Sequence, residues 1–248
     1  MWSGKEGVMG MTNSRAGTRI DEVAEGIYRI STSVSEIPGG FSFNQYLLVD
    51  DQPLLFHTGP KKMRPLIQEA ISSVLDVNKL RFIGFSHYES DECGSINEFL
   101  GLAPNAEPLC GQVNAMINGD CFDKPAHVLI DGGTISLGRH SVRWFDTPHL
   151  PHAWECGYLL EEKTGTLLCG DLFTQGGVNL APLTSADILE PSEAFRKQMD
   201  YYSHTKKGGS LMARLAATNP RTLACMHGSA WNGDGGRLLT ALAESLDA

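Results

Sequence analysis

Ser86-His87-Tyr88-Glu89-Ser90-Asp91-Glu92-Cys93-Gly94 follows the apolar run Leu80-Arg81-Phe82-Ile83-Gly84-Phe85, and its reading decides that of the whole chain. His87, Glu89 and Asp91 stand at alternate positions where a buried strand should end. If the segment stays extended, alternate side chains point to one side, so an imidazole and two carboxylates converge on one point. Such a convergence calls for a cation. Capping of the following helix would account for Asp91 alone, not for His87 and Glu89 beside it.

Working outward, further polar residues sit just past other apolar runs. His152 comes after Val142-Arg143-Trp144-Phe145, Asp171 after Thr166-Leu167-Leu168-Cys169-Gly170, and His227 after Thr222-Leu223-Ala224-Cys225-Met226. Delivery of ligands from several strand ends is how a rigid scaffold fixes a metal site. His149, in Thr147-Pro148-His149-Leu150-Pro151-His152, competes with His152 for one place in the set.

The order His-x-Glu-x-Asp, a His near residue 150, an Asp after Leu-Leu-Cys-Gly and a late His resembles the metallo-β-lactamase superfamily, from about Gly26 to Trp231. Most hydrolases of that superfamily carry His where Glu89 stands; Glu there resembles the flavodiiron proteins and the related oxygen-binding di-iron proteins. The resemblance implies an α/β (α+β) αββα sandwich. It further implies one metal held by His87, Glu89 and His152, a second by Asp91 and His227, and Asp171 bridging them. His152, 19 residues before Asp171, matches the flavodiiron spacing. His149, 22 residues before it, has the His-x-Pro sequence seen in many superfamily members and is expected beside the metal, orienting a ligand. Glu92 stands where both groups usually have His. It is a candidate second-metal ligand, imidazole acceptor or proton carrier, or simply a carboxylate at a helix start. His57 occupies a common Asp position and reads as a hydrogen-bonded structural residue, not a ligand.

Two His and one carboxylate form the ligand set of non-haem iron sites. The hard oxygen of Glu89 favours iron or manganese over zinc, although affinity alone ranks zinc above iron. A metal pair reduces dioxygen if it is redox-active and activates water if it is not. The expected function is a di-iron protein that binds or reduces dioxygen or a related small oxidant. The alternative is a zinc or manganese binuclear hydrolase of an ester, thioester, lactone or phosphoester, and a third reading is a binding module without activity. Flavodiiron enzymes carry a flavin domain, whereas this chain ends about twenty residues after His227. No such domain is therefore expected, and an external electron donor is.

The 248 residues suit one α/β domain, 19–248, behind a flexible leader, 1–18. No apolar run approaches the ~20 residues of a membrane span. The net charge of −9 counts against nucleic acid, which needs a basic surface. Six cysteines without a Cys-x-x-Cys pair read as reduced thiols of a cytoplasmic protein, and a homodimer is one expected assembly. Gly-x-Ser-x-Gly is absent, which counts against a serine hydrolase.

Periodicity predicts strands at 26–31, 44–50, 53–57, 80–85, 107–110, 127–130, 134–137, 141–145, 156–160, 166–169 and 222–226. It predicts helices at 65–75, 95–100, 112–117, 192–202, 210–218 and 235–246. Gly132-Gly133 marks a turn joining two of the strands. Residues 38–43 read as a loop whose Phe41 and Phe43 can line the pocket, and 173–190 as a loop bordering it.

Overall fold

The computed structural model describes residues 10–246. The first eight strands, β1 (Gly10–Asn13), β2 (Thr18–Ala24), β3 (Ile27–Val34), β4 (Phe41–Leu48), β5 (Leu54–Phe56), β6 (Phe82–Gly84), β7 (Glu107–Gly111) and β8 (His127–Leu129), lie side by side in sequence order. β1 to β5 pair antiparallel and β5 to β8 parallel. The second sheet holds β9 (Thr134–Ser136), β10 (Ser141–Asp146), β11 (Gly157–Glu161), β12 (Thr166–Leu168), β13 (Leu183–Thr184), β14 (Thr222–Ala224) and β15 (Ala230–Asn232), in the order β13-β15-β14-β12-β11-β10-β9.

Successive side chains of a strand face opposite ways, and here both faces are covered. Tyr46, Leu48, Leu54, Phe56 and Phe82 pack with Val142, Trp144, Leu159, Leu168 and Ala224 between the sheets. Their neighbours Leu47, Leu55 and Ile83 turn outward against Ile67, Ala70 and Ile71 of α1 (Arg64–Ser72), and against Ile96, Phe99 and Leu100, which follow α2 (Ser90–Cys93) in α3 (Ile96–Leu102). After α4 (Gln112–Asn118), the helices α5 (Leu189–Met199), α6 (Gly208–Ala216) and α7 (Gly235–Leu246) lie in the second half of the chain. Leu211, Met212 and Leu215 of α6 and Leu239 and Leu242 of α7 cover Leu160, Leu167 and Leu223 of the second sheet. The layering is the expected αββα sandwich.

Two expectations are corrected. Residues 10–18 are not a flexible leader: Gly10–Asn13 forms an edge strand on β2, while residues 1–9 lie outside the described part. Gly132-Gly133 lies in the expected turn between β8 and β9, and because β8 ends the first sheet and β9 begins the second, that turn is the crossing between sheets. Phe41 and Phe43 belong to β4, where Phe41 pairs with Val34, rather than to a loop. Short strands at Leu183–Thr184 and Ala230–Asn232 were unpredicted, and they pair with each other.

Candidate metal centre

Parallel pairing puts functional side chains at one end of the sandwich. β12 and β14 are parallel, with Leu168 level with Ala224. Asp171 and His227 each come three residues beyond those last strand residues, and His87 comes three beyond Gly84 at the end of β6. Gly170 (φ +49°) makes the turn into Asp171, and a Cβ there would stand 2.9 Å from Tyr158 and 3.0 Å from Ser86 Oγ. Gly228 (φ +91°) turns the chain after His227, where a Cβ would stand 2.6 Å from Gln175. The His227 turn is tied to the first sheet. Asn44 Nδ2 donates to the Cys225 and Gly228 carbonyls, Tyr46 donates to the Cys225 carbonyl, and the buried Arg29 guanidinium donates to the Gly228 carbonyl at 2.6 Å.

His87, Glu89, His152 and Asp171 form one group. His87 Nε2 is 2.9 Å from His152 Nε2, 3.7 Å from Glu89 Oε1 and 3.6 Å from Asp171 Oδ2. His152 Nε2 is 3.1 Å from Glu89 Oε1 and 3.5 Å from Asp171 Oδ2. Asp91, Asp171 and His227 form the other: His227 Nε2 lies 3.4 Å from Asp91 Oδ2 and 3.3 Å from Asp171 Oδ1. Asp171 thus offers one oxygen to each group.

Each imidazole is aimed by its other nitrogen. His227 Nδ1–H donates to the Ser42 carbonyl at 2.8 Å and His152 Nδ1–H to the Tyr201 carbonyl at 3.1 Å. His87 Nδ1 contacts Ser86 Oγ at 3.0 Å, and Ser86 Oγ contacts the Nε2 of buried His57 at 3.0 Å. A carbonyl can only accept, so the Nε2 lone pairs of His152 and His227 point inward at other acceptors. Only a proton or a cation satisfies that arrangement, and donor atoms bound to one ion at ordinary distances stand about 3.0–3.4 Å apart. The donor set fits a metal pair.

The charges agree. Burial would raise the Asp171 pKa, but the contact with His227 and the charges of His87 and His152 outweigh it and hold the carboxylate well below its usual range. Burial opposes a charged His227, yet Asp171 and Asp91 lift its pKa to about 10. Burial works against charged His152 too, and Glu89 and Asp171 overcome it. Burial keeps His57 neutral, with a pKa down at about 3. Glu92 is fully buried, neither of its oxygens has a hydrogen-bond partner, and Oε2 lies 3.9 Å from His87 Nε2. Burial, then the charges of Asp171 and Asp91, push its pKa well up.

The geometry brings His87, Glu89, Asp91, Glu92, His152, Asp171 and His227 together, with two corrections to the expected arrangement. The segment after β6 does not stay extended. It bends at residues 86–88 and enters α2, which carries Asp91 away from His87 and toward His227. Asp91 therefore serves the opposite group rather than one shared point, and it caps no helix. His149 is not beside the metal groups: it is exposed at φ +64° and lines a separate cavity with Arg196, Tyr202 and His204. Sequence reasoning missed Ser86 and the carbonyls of Ser42 and Tyr201. Ser86 could have been flagged by adjacency to His87, whereas backbone acceptors leave no sequence signal.

An apolar cavity of about 920 Å³ adjoins the second group; Phe41 and Phe43 line it as expected, and so does Asp91. Both rings also pack on His227, with centroids at 4.3 and 5.5 Å. No helix among the described residues is long and apolar enough to cross a membrane.

Known proteins of similar sequence include the nitric oxide reductase of Moorella thermoacetica, 26% identical over 82% of this chain and 53% of its own length. Another is the rubredoxin-oxygen oxidoreductase of Megalodesulfovibrio gigas, 25% identical over 67% of this chain and 42% of its own. The chain thus spans about half or less of these relatives. Among solved structures, a mutant of the flavo di-iron protein from Thermotoga maritima superposes with a TM-score of 0.78 at 18% identity, covering 91% of this chain and 60% of that one. This likeness identifies the sandwich as the metallo-β-lactamase fold. The family model described as ODP family beta lactamase matches residues 41–228, and the chain belongs to that family.

Proposed function

We propose that this protein holds two iron ions and with them binds or reduces dioxygen or a related small oxidant such as nitric oxide. The observation that carries the reading is Asp171, with Oδ2 3.6 Å from His87 and 3.5 Å from His152 while Oδ1 is 3.3 Å from His227. In this reading His87, Glu89 and His152 hold one ion, Asp91 and His227 the other, and Asp171 spans both. The set of two His with a carboxylate favours iron, with manganese and zinc as competitors. The names of the two relatives, an oxygen oxidoreductase and a nitric oxide reductase, support a small oxidant as substrate.

When bound, a redox-active pair supplies electrons to the oxidant. The chain does the rest. The Nδ1 contacts fix the ring orientations and tautomers. The buried carboxyl of Glu92, pushed toward its protonated form in the metal-free site by burial and by the charges of Asp171 and Asp91, is the group placed to carry a proton next to His87. Phe41 and Phe43 pack on the His227 ring and give that side an apolar wall. An external donor replenishes the electrons, and the six free cysteines suit a reducing, cytoplasmic setting.

To test this, iron-loaded, reduced protein prepared without oxygen is mixed with dioxygen or nitric oxide, and uptake is followed with a gas electrode. Rapid consumption, sustained by a chemical reductant, is expected. No uptake by the iron form, together with ester, lactone or phosphoester cleavage by the zinc or manganese form, would replace this reading with the hydrolase.

A further inference from the structure

We infer that the cavity beside Asp91 and His227 binds an uncharged aromatic molecule of the hydroquinone class, which serves as the electron donor; the donor role rests on the reductive reading of the centre. A volume of about 920 Å³ is far more than a diatomic oxidant needs and falls within the range of sites for organic ligands. Ile37, Phe41, Phe43, Phe195 and Met199 make the wall apolar. The Phe41 and Phe195 rings lie 5.6 Å apart and 21° from parallel, and Phe43 meets Phe41 edge-on at 79°. Such a wall matches a flat ring, by stacking and by edge contact.

Polarity and charge narrow the ligand. Ser90, Asp91 and Gln198 are the polar side chains on the wall, enough to receive the hydroxyl groups of a small aromatic diol. Among the described residues, Asp91 is the one charged side chain lining the cavity, so the wall itself offers no cationic side chain to a phosphate or carboxylate. Nucleotide-type carriers are disfavoured and a neutral molecule is favoured. Position gives the role: Phe41 packs on His227 with centroids 4.3 Å apart, so a ligand resting on Phe41 is one ring away from the centre.

The chemistry balances. A hydroquinone releases two electrons and its two hydroxyl protons to become a quinone. Two hydroquinones reduce one dioxygen to two waters. One hydroquinone reduces two nitric oxides to nitrous oxide and one water.

The wall also offers a clean way to close the site. Gly176 lines the cavity without a left-handed φ, and a Cβ built on it would meet nothing nearer than 3.8 Å. Gly176→Leu therefore fills the space without straining the backbone. The probe is 2,3-dimethyl-1,4-naphthoquinone, which has no free position for thiol addition, titrated by calorimetry into the full chain without metal. Saturable one-to-one binding is expected. Gly176→Leu should weaken it by at least about tenfold, and Phe195→Ala by about three- to tenfold. An analogue bearing a carboxylate should bind at least about tenfold more weakly.

No saturable binding, full affinity in folded Gly176→Leu, or equal affinity for the carboxylate analogue would overturn the site. The iron-loaded protein then receives the hydroquinone with dioxygen or nitric oxide, and quinone formation is read by absorbance. Quinone binding without hydroquinone oxidation, in protein that consumes the oxidant with a chemical reductant, overturns the donor role alone. No consumption with any reductant defeats the reductive reading and leaves the binding site standing.

Discussion

On one side of Asp171, His87, Glu89 and His152 bring their donor atoms within 2.9 to 3.7 Å of one another, and behind His87 stand Ser86 and buried His57. On the other side, Asp91 and His227 meet Asp171 next to a large apolar cavity, with buried Glu92 nearby. The first side is crowded and braced from behind. The second has fewer protein donors and more room, which makes it the side from which a molecule can approach. The contrast arises in the chain: β6 and the loop before β11 both feed the first side, whereas the turn into α2 diverts Asp91 to the second.

The largest effect should come from removing what the sides share. Asp171→Ala is expected to lose both ions, with metal content per chain falling by more than half in elemental analysis; full retention would remove Asp171 as the bridge. Next, His152→Ala should empty the braced side and leave about one ion per chain, while His149→Ala should leave the content unchanged because His149 is exposed in another cavity. The reverse order would return the ligand role to His149.

A smaller effect isolates the bracing. Ser86→Ala cuts the chain from His87 to His57 and should weaken metal binding by about 10–100-fold on the first side only. Competition with a chelator would read two affinities, of which one moves; equal loss on both sides would mean that Ser86 supports the fold rather than His87. The mildest change is Glu89→His, which should keep two ions but shift selectivity toward zinc. An unchanged preference under metal competition would show that Glu89 does not set it.

Much of this was legible because two periodicities are strong. Runs such as Leu54-Leu55-Phe56 and Thr166-Leu167-Leu168 are apolar on both faces, as strands covered on both sides must be. The polar residues that end such runs, His87, Asp171 and His227, could therefore be picked out. What failed depended on backbone direction. Spacing could not show that residues 86–88 bend, or that φ +64° turns His149 away. The edge strand Gly10–Asn13 is half-exposed and has little apolar signal, so its pairing with β2 was invisible. Gly132-Gly133 announced a turn, but which sheet the chain enters next is set by tertiary packing. The bracing of His152 and His227 rests on carbonyls, which every residue has.

The central claim, a pair of irons spanned by Asp171, is tested most directly by elemental analysis of protein purified without oxygen, with optical spectra before and after air. The account predicts about two irons per chain and a new charge-transfer band on exposure to air. One ion per chain, or two zincs with a spectrum that air leaves unchanged, would contradict it.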